Sequence, residues 1–242
     1  MVDRVTLAVE LREICVKRVK RTIISKLSVQ ADAGSWLGIV GANGSGKTTL
    51  LRAVAGRLPI ASGDCFIGGK EMAGDRSARA KIIGFAPPIE HLPNVLCVRE
   101  LLELAGEVVE AQQRRNQELW GALDISALLD RTIAECSSGM RQRAAIALAF
   151  ANPTSLVILD EPFNWLDPVA AFDTRVALET KVRNGTTLLT ALHDLATLCS
   201  VCDDGVLMTN GTITLELGSD KLLAGSRDIQ AFERDMIEAL RT

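Results

Sequence analysis

Apolar and polar positions in the first quarter of the chain follow two different periods. Apolar residues alternate with polar ones at 5–9 and 23–29, which predicts two antiparallel strands with one buried face each. Residues 36–40 are mostly apolar and predict a buried central strand. At 48–55 the apolar residues recur at helical spacing until Gly56. This region is therefore expected to form a strand, loop and helix unit preceded by an antiparallel pair.

The middle of the chain changes from strand to helix patterns. Residues 63–69 predict a short strand and a turn, and residues 81–86 predict a further strand that ends at Pro87 and Pro88. From 98 to 130 the pattern is helical, with no strand between its amphipathic stretches. We expect this segment to be a helical lobe inserted into the sheet domain.

Strand patterns return in the last third, at 155–160, 186–190 and 204–208. Strands that alternate with helices predict a parallel sheet covered on both faces, and hence an α/β fold. Ile229, Phe232 and Met236 have the spacing of one helix face, which predicts a tail helix that covers the core. The predicted parts of this single domain are a core at 1–87 and 144–217, the helical lobe at 88–143 and a helical tail at 218–242.

Composition limits the classes of function. A chain of 242 residues with 48% hydrophobic and 24% charged residues is typical of one large globular domain. The net charge of −3 gives no electrostatic footprint for nucleic acid; the one basic cluster, 17–21, is expected to be a solvated turn. Eighteen consecutive apolar residues occur nowhere, and the first residues lack a secretory signal pattern, so we expect a cytoplasmic protein with its six cysteines reduced.

Residues 41–48, GANGSGKT, match G-x-x-x-x-G-K-[ST] between a predicted buried strand and a predicted helix, where a phosphate-binding loop requires them. Glycines at three of these positions let backbone N–H groups face an anion at the positive end of the helix. Lys47 is expected to neutralise phosphate charge, and the hydroxyl of Thr48 to bind Mg²⁺. The motif predicts binding of ATP.

Asp160 and Glu161 are adjacent carboxylates at the end of a predicted apolar strand. A buried strand does not carry such residues without a use for them, although carboxylates at a strand end can also cap a helix. We expect Asp160 to hold the magnesium ion through a bound water, and Glu161 to polarise the water that attacks the γ-phosphate.

Residues 136–143, CSSGMRQR, place a serine and a glycine at the start of a predicted helix and resemble the signature sequence of ABC transporters. Residues 163–167, FNWLD, resemble the D-loop of that family, and residues 191–194, ALHD, resemble its switch-histidine segment. The resemblance covers nearly the whole chain. It implies a P-loop NTPase of ABC type, with a RecA-like, mostly parallel sheet core, an N-terminal antiparallel β subdomain and an inserted α-helical lobe.

The resemblance also implies partners and roles. Two cassettes, identical or different, would close head to tail around two ATP molecules and drive a separate integral membrane subunit from the cytoplasmic face of the membrane. The catalytic residues so implied are Glu161, His193 and Lys47. The residues implied in nucleotide binding are Arg18, Gly41, Asn43, Gly44, Ser45, Gly46, Lys47, Thr48, Thr49, Ser137, Gly139 and Asp167.

Three departures from the family pattern stand out. Arg18 occupies the position at which an aromatic residue usually stacks on adenine, and Pro88 replaces the glutamine that usually contacts Mg²⁺ and senses the membrane subunit. Cys136 and Ser138 replace a leucine and a glycine of the signature. We expect Arg18 to lie over the adenine by a cation–π contact, and Glu90 or His91 to contribute to coupling.

Other functions remain open on the sequence alone. A soluble ABC ATPase would share these motifs, but such proteins usually join two cassettes or carry a long coiled coil. A regulatory cassette without hydrolysis is disfavoured by Glu161, and a GTPase by the absence of an N-K-x-D motif. The signature is more similar to those of ABC-2-type exporters, which favours export.

Overall fold

The computed structural model of the chain describes residues 7–19 and 21–241. The start of the first predicted strand, at residues 5 and 6, and Lys20 of the basic cluster lie outside the described residues. The described residues form two sheets, with helices packed around the larger one.

The strands, in chain order, are β1 (Leu7–Arg18), β2 (Arg21–Asp32), β3 (Trp36–Val40), β4 (Ser62–Ile67), β5 (Lys70–Glu71), β6 (Gly84–Phe85), β7 (Leu156–Asp160), β8 (Thr187–Ala191), β9 (Asp204–Thr209) and β10 (Thr212–Leu217). The α-helices are α1 (Lys47–Val54), α2 (Arg76–Ile82), α3 (Val98–Ala105), α4 (Val109–Arg115), α5 (Gln117–Ala122), α6 (Ser138–Ala149), α7 (Pro168–Arg183), α8 (Leu195–Val201), α9 (Ser219–Arg227) and α10 (Ile229–Arg241). Short 3₁₀ turns occur at Ile89–His91, Ile125–Ala127 and Ile133–Glu135.

The larger sheet has the order β10-β9-β3-β8-β7-β6 and is parallel except for the β9–β10 hairpin. Every residue of β3 and β8 is buried, as expected for central strands covered on both faces. The indole N–H of Trp36 donates to the hydroxyl oxygen of Thr190 at 2.8 Å and joins these two strands inside the core. Because β3, β8 and β7 are parallel neighbours, the carboxyl ends of β3 and β7 open at the same edge of the sheet.

The smaller sheet has the order β2-β1-β4-β5 and is antiparallel, which confirms the predicted N-terminal β subdomain. Its buried side chains, such as Leu11 and Ile24, share one hydrophobic cluster with Leu50 of α1 and Ile39 of β3. The α1 helix is thus held between the two sheets, and its first residue faces the edge at which β3 ends. The α/β fold with a mostly parallel core is confirmed.

The segment predicted to be a strand at 81–86 was assigned wrongly in its first half. Lys81 and Ile82 belong to α2, and only Gly84–Phe85 is a strand. The carboxylate of Asp75 accepts a hydrogen bond from the N–H of Ala78 at 2.9 Å and caps α2. The fully buried guanidinium of Arg79 then ties the helix to the preceding loop through the carbonyls of Met72 and Ala73.

The helical lobe is less continuous than predicted. Its first part consists of the short helices α3, α4 and α5, and Asp124 ends the helical run with a left-handed backbone at φ 48°. Val98, Leu102 and Trp120 are buried in one cluster with the side chains of α6. The α6 helix itself crosses residue 143, where the predicted lobe ends, so the domain boundaries stay predictions.

The tail forms α9 and α10. Phe232 and Met236 of α10 pack with Leu222 of α9 and Leu198 of α8 in a separate cluster. The side chains of Phe232 and Met236 therefore share one buried helix face, as their spacing in the sequence predicts. Over the residues described, none of the helices combines the length and the apolar character needed to cross a bilayer.

Candidate nucleotide-binding site

The loop 41–46 leaves the end of β3 and runs directly into α1, which begins at Lys47. Gly41 has φ 156°, and a Cβ at this position would lie 2.3 Å from the carbonyl oxygen of Met208 in β9. A side chain therefore does not fit here. The loop passes close to the next strand, and the N-terminus of α1, with its unpaired N–H groups, faces the edge of the sheet.

Lys47 is almost wholly buried at the start of α1, with 5% of its surface exposed. Its ammonium group donates to the carbonyl oxygens of Gly41 at 2.7 Å and of Ala42 at 3.4 Å. The ammonium group of Lys47 thus lies against the loop 41–46. Nearby, the hydroxyl of Ser45 is buried and has no hydrogen-bond partner in the described residues. An orphan hydroxyl beside a buried ammonium group fits a phosphate oxygen.

Asp160 ends β7 at the same edge of the sheet. Burial raises the pKa of its carboxyl group, and a hydrogen bond with the Thr48 side chain and the charges of Arg52 and Lys47 act in the opposite direction. One carboxylate oxygen, Oδ1, is buried without a partner. An unpartnered carboxylate oxygen next to a threonine hydroxyl is the donor set that a magnesium ion prefers, so these two residues fit Mg²⁺.

Glu161 follows with a left-handed backbone at φ 49°, an unusual conformation for a residue with a side chain. Its N–H donates to the carbonyl oxygen of Ala191 at 3.1 Å, and its Oε2 accepts from the amide of Asn164 at 2.6 Å. The left-handed turn directs the chain away from β7, and the carboxylates of Asp160 and Glu161 both line one cavity of about 270 Å³.

This cavity brings together the two halves of the predicted site. Thr48 and Arg52 of α1 form one wall, and Asp160 and Glu161 form another. A third wall comes from residues 86–90, which include Pro88 at the position where the family carries glutamine. Pro88 has no amide side chain, so this wall supplies a polar group only at Glu90.

The N-terminus of α6 carries the predicted signature. The hydroxyl of Ser137 accepts a hydrogen bond from the N–H of Met140 at 3.3 Å and caps the helix. At Gly139 a Cβ would lie 2.7 Å from the carbonyl oxygen of Trp165, so the backbones of the signature and of the 163–167 segment are in close approach. Neither Ser137 nor Gly139 lines the cavity that Thr48 and Asp160 form.

Asp167 caps α7 by accepting from the N–H groups of Val169 and Ala170, each at 3.0 Å. These backbone hydrogen bonds, first of all that of Ala170, lower the pKa of the Asp167 carboxyl group. Arg143 of α6 approaches the same carboxylate at 3.4 Å. The segment 163–167 is therefore fixed to the helix that carries the signature.

Comparison with known proteins decides the family. A family profile described as ABC transporter matches residues 24–164, more than half of the chain. The chain belongs to the ABC transporter family.

The relatives of this ABC chain include ATP-binding proteins named for opposite directions of transport. It is 29% identical over 216 residues to the Nod factor export ATP-binding protein I of Neorhizobium galegae, covering 87% of the chain and 62% of that protein. It is 34% identical over 203 residues to a sulfate/thiosulfate import ATP-binding protein of Synechococcus elongatus, covering 81% of the chain and 58% of that protein. The chain thus spans about three fifths of the length of each relative.

Solved structures support the ABC fold. A structure titled as the ATP binding subunit of an ABC transporter superposes with a TM-score of 0.82, at 24% sequence identity, over 95% of this chain and 99% of that one. At this identity the similarity concerns the fold alone.

Of the predicted site residues of the ABC chain, Thr48, Asp160 and Glu161 line the cavity and the others do not. His193 is exposed after the end of β8, and Arg18 is exposed at the end of β1, where it pairs with Arg21 across the hairpin. In the described residues neither side chain makes a hydrogen bond or an ion pair. The roles of both stay predictions.

Sequence reasoning missed two residues that organise the ABC site. The amide of Gln142, buried in α6, donates to the carbonyl oxygen of Pro162 at 3.0 Å, and so joins the signature helix to the turn after Glu161. Gly211, in the β9–β10 turn, donates to the carbonyl oxygen of Ser45 at 2.8 Å and supports the phosphate loop. The Asn-Gly pair at 210–211 signals a hairpin turn, but its contact with the loop depends on the fold.

Proposed function

We propose that this chain is the ATP-binding and ATP-hydrolysing subunit of an ABC transporter. One observation carries the proposal: the start of α1, with Thr48, and the end of β7, with Asp160 and Glu161, line a single cavity. The same edge of the sheet holds the buried ammonium group of Lys47 and the orphan hydroxyl of Ser45.

Each residue has a role that follows from its chemistry. Lys47 leaves the carbonyls of Gly41 and Ala42 and neutralises the β- and γ-phosphates, which the loop 41–46 holds with its N–H groups. Thr48 and Asp160 bind Mg²⁺, which, when bound, offsets charge on the phosphate oxygens. Glu161 accepts a proton from the water that attacks the γ-phosphate. Asn43 and Thr49 contact phosphate oxygens.

A second cassette completes the site. Ser137 and Gly139 lie at the N-terminus of α6 and resemble the ABC signature, so they serve a nucleotide held by another copy. Helix N-termini favour anions, and that of α6 carries a hydroxyl and a close-approach glycine. Two cassettes arranged head to tail, with Asp167 and His193 near the shared interface, therefore bind two ATP molecules.

The membrane partner docks beside Pro88. A groove of about 580 Å³ lies there between the core and the helical lobe. The basic residues that line it are Arg52, Arg57, Lys81 and His91, and most of its other side chains are apolar, such as Leu92 and Leu101. Among the described residues, no carboxylate lines this groove. This lining suits an amphipathic segment with acidic residues. A cassette docked on a membrane subunit in this way would act from the cytoplasmic face of the membrane.

A soluble ABC ATPase is the alternative class. Affinity purification of the tagged chain from its own cells distinguishes the two: recovery of a polytopic membrane protein supports the transporter, and recovery with ribosomes or DNA supports the alternative. Export stays a prediction from the signature sequence, since the relatives include both an exporter and an importer protein.

The purified chain tests ATP hydrolysis directly. Phosphate release from ATP is expected with Mg²⁺ and is expected to stop when EDTA removes the ion, because Asp160 and Thr48 need it to hold the phosphates. ATP should still protect the chain against thermal unfolding in EDTA, but less than with Mg²⁺. Absence of phosphate release under both conditions, from a chain that binds ATP, would favour the regulatory cassette.

Arg18 should make base recognition weak. A guanidinium over the adenine contributes about 0.5–2 kcal/mol and reads no hydrogen-bonding edge of the base. We therefore expect ATP and GTP to bind with dissociation constants within about threefold of each other, and Arg18→Ala to weaken both by about 2- to 30-fold. Isothermal titration with both nucleotides measures this. A strong preference for ATP that persists in Arg18→Ala rejects the stacking role.

A further inference from the structure

The segment Glu161-Pro162-Phe163-Asn164 forms a tight turn directly after β7. The N–H of Asn164 donates to the carbonyl oxygen of Glu161 at 3.2 Å, the first-to-fourth residue bond of a β-turn. Proline occupies the second position, where its fixed φ favours such turns. The turn therefore returns the chain so that residue 164 lies beside residue 161.

The side chains of these two residues meet in the cavity. The amide Nδ2 of Asn164 donates to Oε2 of Glu161 at 2.6 Å, and both residues line the cavity beside Asp160. The other carboxylate oxygen, Oε1, accepts no hydrogen bond from the described residues. Gln142 holds the turn from its buried side through the carbonyl of Pro162, so the position of the amide does not depend on Asn164 alone.

We propose that Asn164 is a positioning residue for Glu161: its amide fixes Oε2, so that Oε1 stays available to accept a proton from the attacking water. The inference rests on the proposed role of Glu161 as general base. A base acts only within hydrogen-bond reach of the proton that it removes, so the orientation of its carboxylate decides the rate. The amide suits this role because it is a neutral donor, which holds the carboxylate without transferring a proton to it.

Two substitutions separate positioning from a merely structural turn. Asn164→Ala removes the donor, and we expect hydrolysis to fall about 10- to 100-fold while the dissociation constant for ATP stays within about twofold. Asn164→Asp replaces the donor with a second carboxylate. Because a carboxylate accepts hydrogen bonds but donates none, Oε2 of Glu161 loses its donor in this variant as well, and we expect hydrolysis to fall at least as far as in Asn164→Ala. Asn184→Ala, an exposed asparagine at the opposite end of α7, is the matched control and should change neither quantity.

The outcomes are distinct. A normal rate in Asn164→Ala, or a rate loss matched by an equal loss of ATP affinity, overturns the positioning role, as does a normal rate in Asn164→Asp. Glu161→Gln, measured in parallel, separates this failure from that of the proposed function. If Glu161→Gln still hydrolyses ATP, the general base itself is assigned wrongly; if it does not, while Asn164→Ala is normal, only the positioning role fails.

Discussion

Glutamine in place of Glu161 is expected to lower the rate of ATP hydrolysis by about 10²-fold or more, while ATP remains bound. Glutamine preserves the size of the side chain and can still contact Asn164, but it cannot take a proton from water. Lys47, Thr48 and Asp160 are untouched, so the phosphates and Mg²⁺ keep the ligands that we propose for them. In the proposed dimer, ATP that is not hydrolysed holds the two cassettes together, so the variant should accumulate as a closed pair with ATP, which size-exclusion chromatography detects.

The control is Glu118→Gln, which neutralises an exposed carboxylate in α5 and should leave hydrolysis and oligomeric state unchanged. A rate of ATP hydrolysis in Glu161→Gln equal to that of the wild type would show that another group accepts the proton. Loss of ATP binding together with hydrolysis would show instead that Glu161 holds the nucleotide or the turn.

Asparagine in place of Asp160 should abolish hydrolysis and yet stabilise the nucleotide-free protein. Burial raises the pKa of the Asp160 carboxyl group, and its Oδ1 has no partner. The hydrogen bond with Thr48 and the charges of Arg52 and Lys47 offset only part of the penalty of burial. A neutral amide should therefore stabilise the fold by about 1–3 kcal/mol, which corresponds to a rise in Tm of about 2–12 °C for a chain of this size. The same substitution removes the charge of a proposed Mg²⁺ ligand, and the rate of hydrolysis should fall by about 10²-fold or more.

The sign of the pH effect follows from the direction of the shift. Because the folded chain holds a proton on Asp160 more readily than the unfolded chain, this group favours the folded state at low pH and loses that contribution as pH rises through its raised pKa. The gain in Tm of Asp160→Asn should therefore grow from acidic to neutral pH. Scanning calorimetry without nucleotide measures it.

Asp130→Asn is the matched control, since the carboxylate of Asp130 is 91% exposed and its contact with Arg99 is a surface ion pair. A lower Tm for Asp160→Asn at neutral pH would mean that the carboxylate, in the absence of Mg²⁺, stabilises the fold. It would contradict the conclusion that the buried carboxylate of Asp160 destabilises the nucleotide-free fold.

Local motifs predicted the parts of this site that depend on local chain geometry. The position of the phosphate loop between β3 and α1, and of the acidic pair at the end of β7, follows from glycine spacing and from apolar runs that end in charge. The sheet topology then brings these two motifs together. Parallel neighbours open at one edge, so two segments more than a hundred residues apart meet in one cavity.

The features that sequence reasoning missed depend on contacts between elements. The run KIIGFA has the composition of a strand, but Ile82 is 43% exposed and belongs to α2, because the helix is anchored by the buried Arg79. An arginine buried among carbonyls has no periodic signature. The contact between the Asn164 amide and Glu161 has no sequence signature either, because it requires a turn whose direction is set by the left-handed backbone of Glu161.

Trp165 gives the site a built-in optical reporter. The chain has three tryptophans and no tyrosine. Trp36 and Trp120 are 0% and 4% exposed, whereas Trp165 is 66% exposed and lines the cavity next to Glu161. The intrinsic fluorescence of this protein therefore comes from two indoles that are shielded from water and one, that of Trp165, that is exposed to it. Closure of a partner over the cavity should shift the emission of Trp165 toward shorter wavelength. Nucleotide-driven dimerisation can then be followed in real time without a label.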